Sequence, residues 1–365
     1  MKFTVNRDAM LDGIAKVQSI VSTKTTLPIL SNIHIEAVKG KLQLTATDLE
    51  VTVRTEVDAD VGKKGTTTLP AKRIFSVVRE LPSHDIEIEI DDKHNASIKC
   101  GGSFFKIVGI DPKDFPPLPE LDTSHSYSLD QVTFKDMLRK TIYASSTDET
   151  RYILNGALMA FKDGKLSLVA TDGRRLAMVE QEVDFPVNAE ADYVVPAKTI
   201  NELIRTLGEN EPIKIRTADN QVAFEFEHML VISKLIDGSF PNYKQVIPSQ
   251  CEERVTIERE GLLQSVRRAA LVTSEQSNSI KLCFEKNRLE IVTETPDVGE
   301  AREKIPIKYG GNNVAISFNP EYLVDALKVL ETDEIYFELS DELSPGVIKA
   351  DHPFLYVIMP LRTAG

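Results

Sequence analysis

The chain has 365 residues, 42% hydrophobic and 27% charged, which is typical of a soluble globular protein and too long for one compact core. Its formal net charge of −13 argues against a protein that grips nucleic acid through phosphates, and no stretch approaches a membrane span or a secretory signal. Three widely spaced cysteines without a CxxC motif argue against a disulfide framework or a zinc site and favour a reducing cytoplasm.

Three landmarks recur along the chain in the same order. The first is a strand that leads into an amphipathic helix, the second is a strand followed by a turn, and the third is another strand that leads into a helix. Apolar residues three and four positions apart predict the six helices. These helices are predicted at 8–22, 71–81, 134–146, 197–207, 259–271 and 319–330.

The strand and turn of the second landmark give the clearest repeat. Residues 166–176 read LSLVATDGRRL, and residues 42–50 read LQLTATDLE, so that Asp172 and Asp48 lie 124 positions apart. A weaker version at 289–295 places Thr295 a further 123 positions on. A period of this size is that of a whole domain, so the chain is predicted to contain one domain in three copies.

Short alternating segments between the landmarks predict half-buried strands of antiparallel sheets. Each copy is therefore predicted to be an α+β unit with two helices packed on antiparallel sheets. A proline-rich passage at 111–119 and a polar passage at 248–253 fit the boundaries between copies. The predicted domains are 1–121, 122–250 and 251–365.

The six predicted helices carry a net charge of +5 although the whole chain is acidic, so the remainder carries −18. Such a difference fits two interpretations equally well: ordinary solvated helix faces, or one surface that faces a polyanion. Contact with nucleic acid would then be to phosphates and without sequence preference. The basic residues concerned are Lys72, Arg73, Arg79, Lys135, Arg139, Lys140, Lys198, Arg205, Arg267 and Arg268, with Lys24 just after the first helix.

The sequence contains no phosphate-binding, dinucleotide-binding, metalloprotease or nucleophile-elbow motif, and its six histidines are dispersed. Asp48 and Asp172 are the only candidate catalytic carboxylates that the repeat singles out. An aspartate that caps its own turn is the better interpretation, since the third copy has Thr295 at that place. No catalytic residue, metal or cofactor is predicted.

The last residues of the chain are apolar almost to the end. Tyr356 and Ile358 are predicted to lie in an edge strand of the third copy. Met359 and Leu361 flank Pro360, which lacks the amide that a central strand needs. A tail of this composition is suited to the wall of an adaptable apolar groove for peptides.

The three-copy order, with TLPIL at 26–30, ATDGRRL at 170–176, FPNY at 240–243 and VIMPLR at 357–362, closely resembles the bacterial sliding clamp, the beta subunit of DNA polymerase III. The resemblance covers the whole chain. It implies a cytoplasmic head-to-tail homodimer in which six similar domains form a closed ring, with twelve helices inside and the sheets outside. It also implies duplex DNA, the replicative polymerase, a clamp loader ATPase and other replication and repair proteins as partners.

In that family a protein-binding pocket lies between the second and third domains. Two departures make its peptide preference here an open question: Arg174 stands where some members have histidine, and Gln245 where some have arginine. The matching pocket residues are Leu154, Thr171, Gly173, Arg174, Arg175, Leu176, Pro241, Val246, Val357, Met359, Pro360, Leu361 and Arg362.

The resemblance further implies DNA contacts at Lys24, Arg73, Arg151 and Tyr152. Phe105 and Ile107 of one protomer are expected to meet Leu271 and Val272 of the other, with ordinary core positions as the equally weighted alternative for each residue. Acidic residues such as Glu300 and Glu303 would then face Lys72 or Lys106.

The predicted function is that of a non-catalytic processivity factor. A closed ring needs no tight grip on DNA, because release requires an interface to open, and it keeps a tethered polymerase at high effective concentration. Two alternatives remain at this point: a metal-dependent enzyme acting on nucleotides through Asp48 or Asp172, and an adaptor that binds peptides without forming a ring.

Overall fold

The computed structural model describes residues 1–21, 26–120, 123–274, 277–296 and 298–362. These residues belong to two compact units, 1–132 with 201–235, and 133–200 with 236–365. Within the described ranges, every helix is too short or too polar to cross a bilayer. The α-helices are α1 (Arg7–Gln18), α2 (Ala71–Glu80), α3 (Gln131–Arg139), α4 (Ala197–Thr206), α5 (Arg259–Ala269) and α6 (Pro320–Val329).

Each predicted helix is found, but the first and the third are shorter than predicted. α1 ends at Gln18, whereas helix was predicted to residue 22. α3 ends at Arg139, whereas the apolar pattern predicted helix to residue 146. The backbone of Thr141 leaves the helical region, with φ −121° and ψ −46°. Its hydroxyl donates to the carbonyl of Met137 at 2.9 Å, a side-chain bond that competes with the helix. A 3₁₀ turn at Ile142–Ala144 follows.

The first unit contains two antiparallel sheets. The smaller has the order β5 (Asp60–Lys63), β1 (Lys2–Asn6), β7 (Asp85–Ile90), β8 (Ala96–Cys100) and β9 (Ser103–Ile107). The larger has the order β10 (His125–Leu129), β15 (Ile213–Thr217), β16 (Gln221–Phe226), β17 (Met229–Lys234), β4 (Val51–Asp58), β3 (Lys41–Thr47), β2 (Asn32–Val38) and β6 (Gly65–Pro70).

The second unit contains a corresponding pair. Its larger sheet has the order β14 (Ala191–Pro196), β11 (Gly156–Lys162), β12 (Lys165–Thr171), β13 (Arg175–Glu182), β25 (Phe354–Ile358), β24 (Gly346–Lys349), β23 (Glu334–Leu339) and β18 (Glu253–Glu258). Its smaller sheet has the order β21 (Gly299–Pro306), β20 (Arg288–Thr295), β19 (Ile280–Glu285) and β22 (Val314–Phe318).

Neighbouring copies of the repeat share a sheet. In the first unit, β4 of copy one pairs with β17 of copy two, and Val53 lies opposite Val231. In the second unit, β13 of copy two pairs with β25 of copy three, and Ala177 lies opposite Tyr356. The passage from one copy to the next is thus made by continuous backbone hydrogen bonds, and not only by side-chain packing.

The helices pack on the sheets through buried apolar faces. In α1, Met10, Ile14 and Val17 are completely buried. Gly13 lies on the same face, where a Cβ would come within 2.4 Å of Val57 Cγ2. The absence of a side chain at Gly13 therefore allows α1 to approach β3 and β4 closely.

A repeated arginine ties the two helices of a copy together. In copy one, Arg7 donates to the carbonyls of Leu81 and Arg79, both at 3.0 Å. In copy three, Arg259 donates to the carbonyl of Thr332 at 3.0 Å. Arg259 also donates to the carbonyl of Leu327 in α6 at 3.2 Å. Each arginine is the first residue of one helix, and its guanidinium donates to carbonyls in the last turn of the other helix or just beyond it.

Candidate functional site

The turn between β12 and β13 is held by side-chain hydrogen bonds to its own backbone. Asp172 Oδ1 accepts the amides of Arg174 at 2.8 Å and Arg175 at 3.0 Å. Thr171 Oγ1 accepts the amide of Gly173 at 3.1 Å, and Gly173 has a φ of +83° that favours glycine. The predicted hairpin turn is confirmed.

The equivalent turn between β3 and β4 has the same chemistry. Asp48 Oδ1 accepts the amides of Glu50 at 3.0 Å and Val51 at 2.8 Å. Both aspartates therefore cap their own turns, which confirms the interpretation preferred over a catalytic role. Among the described residues, no group of three or more histidine, cysteine or acidic side chains is placed to hold a metal ion.

The C-terminal strand corrects one prediction. β25 is not an edge strand, because it pairs with β13 on one side and with β24 on the other. Beyond it the chain stays attached: the amide of Met359 donates to the carbonyl of Arg174 at 2.9 Å, and the amide of Leu361 donates to the carbonyl of Ser317 at 2.8 Å. Pro360 follows the end of the strand and interrupts no sheet hydrogen bond.

An apolar cluster lies on the larger sheet of the second unit. Its buried members come from β11, β12, β13, β14, β24 and β25: Leu158, Ala160, Val169, Leu176, Val194, Val347 and Val357. Partly buried apolar residues pack against it from other segments: Ile153, Met178, Ile236, Phe240, Tyr243, Ile247, Cys251 and Leu355. The incomplete burial of this second group leaves apolar surface for a ligand.

The predicted pocket residues are found around this cluster at different depths. The buried ones are Leu154, Thr171, Leu176 and Val357, and Leu176 lies directly opposite Val357 in the sheet. Pro360 and Leu361 are half-buried. Exposed at the rim are Gly173, Arg174, Pro241, Val246, Met359 and Arg362. Their role as a pocket remains a prediction.

Arg175 differs from the prediction, since its guanidinium is almost entirely enclosed. Its side chain is 11% exposed, and it contacts Asp172, Asp325 and the carbonyl of Tyr143. Burial opposes the charge, but the hydrogen bond to Asp325 and nearby charges outweigh it and raise the pKa of Arg175. Arg175 is thus part of the support beneath the turn, and its charged group does not line the surface.

Sequence reasoning missed part of the lining. Phe240 and Tyr243 pack against the apolar cluster, although only Pro241 of this segment was predicted. The FPNY sequence at 240–243 was the available signal, because aromatic residues are commonly used at binding surfaces. Ile236 and Ile247, on either side of that segment, carried no comparable signal.

The predicted basic residues differ in exposure and in ion pairing. Those exposed are Arg73, Arg79, Arg139, Arg151, Lys198 and Arg267, together with Tyr152, while Lys135 is half-buried. Several are engaged in ion pairs: Arg79 with Glu80, Arg151 with Asp148, Arg205 with Glu202, and Arg268 with Glu303. Arg205 also donates to the carbonyl of Lys16. Lys24 lies outside the described residues.

Lys140 is the clearest correction in this set. Its side chain is only 9% exposed, and its ammonium lies 2.5 Å from Asp136 Oδ2. A buried and paired lysine presents no charge to a phosphate, so the structure contradicts Lys140 as a DNA contact. The helical spacing of four residues from Asp136 could have indicated the pair.

Comparison with known proteins identifies the family. The models of the DNA polymerase III beta subunit match over the whole chain: the N-terminal domain at residues 1–119, the central domain at 128–242 and the C-terminal domain at 244–362. The chain belongs to the DNA polymerase III beta subunit family.

Individual relatives agree with this family. The beta sliding clamp of Chlamydia muridarum is 34% identical over 362 residues, which cover 99% of each chain. The crystal structure of the Bacillus subtilis DNA polymerase sliding clamp matches with a TM-score of 0.95, at 30% identity, over 100% of this chain and 99% of that one. A Pseudomonas aeruginosa sliding clamp bound to griselimycin matches with a TM-score of 0.96, at 33% identity, over 100% of both chains.

Membership of the beta subunit family confirms the predicted function as a DNA sliding clamp with three α+β domains. Beta subunits are processivity factors, non-catalytic accessory proteins, so the alternative of a nucleotide-cleaving enzyme is wrong. Asp48 and Asp172 accordingly have a structural role in this beta subunit.

Each of the four sheets in the described residues of this beta subunit has two edge strands, and two of these edge strands contain or adjoin the predicted interface residues. β9 ends the smaller sheet of the first unit, and β21 ends the smaller sheet of the second. Phe105 on β9 is 39% exposed, and Leu271, which follows α5, is 82% exposed. Ile107 is only 6% exposed, so the alternative of a core position is correct for it.

Proposed function

We propose that two copies of the chain associate head to tail into a closed ring around duplex DNA. The observation that carries this proposal is the pair of different open edges, β9 and β21, each with exposed apolar side chains nearby. A head-to-tail contact joins unlike surfaces, and it generates a ring when the rotation closes. An open strand edge is also a ready site for pairing with another chain.

The predicted interface residues fit this arrangement unequally. Phe105 and Leu271 are exposed in the single chain, Val272 is half-buried, and Phe104 adds a further exposed aromatic ring on β9. Ile107, the last residue of β9, is buried in the single chain. Glu303 pairs with Arg268 and Glu300 pairs with Arg302 of the same chain, so a contact of either with Lys72 or Lys106 of the partner would add to or replace an internal ion pair.

The proposed domains are 1–121, 122–250 and 251–365. The three family matches at 1–119, 128–242 and 244–362 support a division into three, although the third match begins seven residues before the proposed boundary at 251. In the ring, Arg73, Arg79, Arg139, Lys198 and Arg267 would face the DNA backbone. Such contacts are independent of base sequence and permit sliding. The acidic remainder of the chain limits adhesion, so the ring is retained by its closure and not by affinity.

The apolar cluster and its half-buried surroundings form the proposed docking pocket for the replicative polymerase, the clamp loader ATPase and other replication and repair proteins. The pocket would bury apolar anchors of a partner peptide between Leu176, Val357 and Met359. We propose that griselimycin, which the Pseudomonas aeruginosa relative binds, occupies this pocket in the present chain as well. The proposed location is the bacterial cytoplasm.

Loading onto nicked circular DNA tests the ring. A clamp loader and ATP place the protein on the circle, and a restriction enzyme then linearises it. A closed ring stays on the circle through a high-salt wash and leaves after linearisation, because it slides off the end. Equal retention on both forms of DNA contradicts the ring, and no retention on either identifies a peptide-binding adaptor.

Truncation after Ile358 tests the pocket separately. The shortened chain keeps β25 and its pairing on both sides but lacks Met359, Pro360 and Leu361. It is expected to dimerise normally and to fail to stimulate the polymerase. Unchanged stimulation contradicts the assignment of the pocket and leaves the ring proposal untouched.

A further inference from the structure

The buried guanidinium of Arg175 joins three separate segments of the second unit. Its Nε lies 3.1 Å from Asp172 Oδ2 in the turn that follows β12. One terminal nitrogen donates to Asp325 Oδ2 in α6 at 2.7 Å, and the other donates to the carbonyl of Tyr143 at 2.7 Å. The planar guanidinium reaches these three acceptors from three different nitrogens, whereas a lysine carries its three donors on a single nitrogen.

Aromatic side chains enclose this charge. The guanidinium carbon lies 4.4 Å from the ring centre of Tyr322 and 5.7 Å from that of Tyr143. The hydroxyl of Tyr356 in β25 donates to the carbonyl of Tyr322 at 2.9 Å. The aromatic faces stabilise the cation, and the low exposure of the site strengthens its hydrogen bonds.

The first copy of the repeat provides an internal comparison. Its turn forms the same two hydrogen bonds from Asp48, yet Val51 stands where the second copy has Arg175. An arginine is therefore not required to form this turn. The arginine and its acidic partner in α6 occur at the turn that adjoins the apolar cluster, and this points to a purpose beyond turn formation.

Two rim segments depend directly on the turn that Arg175 contacts. The carbonyl of Arg174 accepts the amide of Met359 at 2.9 Å, which fixes the C-terminal tail against the turn. The carbonyl of Asp172 accepts a hydrogen bond from Arg151 at 2.7 Å, in the 3₁₀ segment that ends at Leu154. A shift of the turn would therefore displace the exposed rim on both sides of the apolar cluster.

We propose that Arg175 is a positioning residue of the docking pocket, which holds the 172–174 turn and the tail at Met359 in the geometry that binds a partner, with Asp325 of α6 as its anchor. This inference rests on the proposed docking pocket. α6 contributes no predicted pocket residue. In this proposal α6 nevertheless affects the geometry of the pocket, because its Asp325 holds Arg175. Preorganisation improves affinity by reducing the ordering that binding requires.

Asp325→Asn in the full-length chain tests the proposal without altering any side chain of the pocket. Glu321→Gln is the matched control, since it makes the same chemical change at an exposed position of α6. Griselimycin is the probe, and its dissociation constant is measured by calorimetry. Asp325→Asn is expected to weaken binding about tenfold, as befits the loss of a charged hydrogen bond, whereas Glu321→Gln leaves binding unchanged.

Amide hydrogen exchange separates positioning from a general loss of stability. Asp325→Asn is expected to accelerate exchange at Met359 and to leave the amide of Val51, in the first-copy turn, unchanged. Arg175→Lys keeps the positive charge but loses the planar arrangement of donors. It is therefore also expected to weaken griselimycin binding and to accelerate exchange at Met359. The proposal is overturned if amide exchange accelerates equally at Met359 and Val51. It is also overturned if Asp325→Asn and Arg175→Lys bind griselimycin as tightly as the Glu321→Gln control.

Met359→Ala distinguishes this inference from the pocket assignment. If Met359→Ala weakens griselimycin binding and Asp325→Asn does not, the pocket is correctly placed and the positioning role is refuted. If neither substitution affects binding, both the pocket and the positioning role are refuted.

Discussion

Leu271→Ala is expected to separate ring formation from folding. Leu271 lies in the 3₁₀ segment Ala270–Val272 that follows α5, and it is 82% exposed in the single chain. Because the side chain makes few contacts within the protomer, its truncation should leave the thermal unfolding of the monomer unchanged. In the proposed ring the same side chain is buried against the β9 edge of the partner.

The expected loss of dimer affinity follows from the buried area. Truncation to alanine removes three carbons, each worth about 0.8 kcal/mol when buried. Since Leu271 is 82% exposed before association, the interface loses about 2 kcal/mol. A head-to-tail ring of two chains contains this interface twice, so the dimer loses about 4 kcal/mol, or about a thousandfold in its dissociation constant.

Sedimentation equilibrium over a wide concentration range measures this constant. Val187→Ala is the matched control, because Val187 is 84% exposed and is not part of the proposed interface. The control should dimerise like the parent chain. A Leu271→Ala protein with the parent's dimer affinity, or one that melts at a clearly lower temperature as a monomer, refutes the reasoning.

Three further outcomes are expected. Met359→Ala should weaken griselimycin binding about five- to tenfold at an unchanged melting temperature, because the side chain is 41% exposed before binding; calorimetry and thermal denaturation check this. Arg73→Ala and Arg139→Ala should each reduce the slope of log K for DNA against log salt by about 0.9, measured by fluorescence anisotropy, while Lys140→Ala leaves the slope unchanged. Hydrogen bonds from Lys41 and Gln43 lower the pKa of Glu56, so its stabilising effect is complete above pH 4.5 and is lost as the pH falls through the lowered value. The destabilisation caused by Glu56→Gln should therefore shrink below that pH in urea titrations.

Local patterns predicted the parts of the fold that local interactions determine. The turns at Asp48 and Asp172 were predicted from the residue types alone, because the aspartate bonds to amides two and three positions ahead. The six helices followed from apolar spacing in the same way. The end of α3 was missed because Thr141 competes with the helix through its hydroxyl, which periodicity does not report.

The errors arose where distant segments meet. β25 was predicted to be an edge strand because its neighbour β13 lies far away in the sequence, in another copy of the repeat. The enclosure of the Arg175 guanidinium could not be predicted either, because it depends on Asp325 and Tyr143, which no local pattern connects to it. The resemblance located the pocket, but only the three-dimensional structure distinguishes lining from support.

The sheets shared between copies have a consequence for how such a chain can be divided. A fragment of residues 122–250 would lose β4 beside β17 and β25 beside β13, and it would expose two bare strand edges at once. Long unpaired edges promote aggregation, so an isolated middle copy should be insoluble even though its own sequence is intact. The three copies still resemble one another, yet they have become inseparable, and any ancestor made of single copies must have closed these edges in some other way.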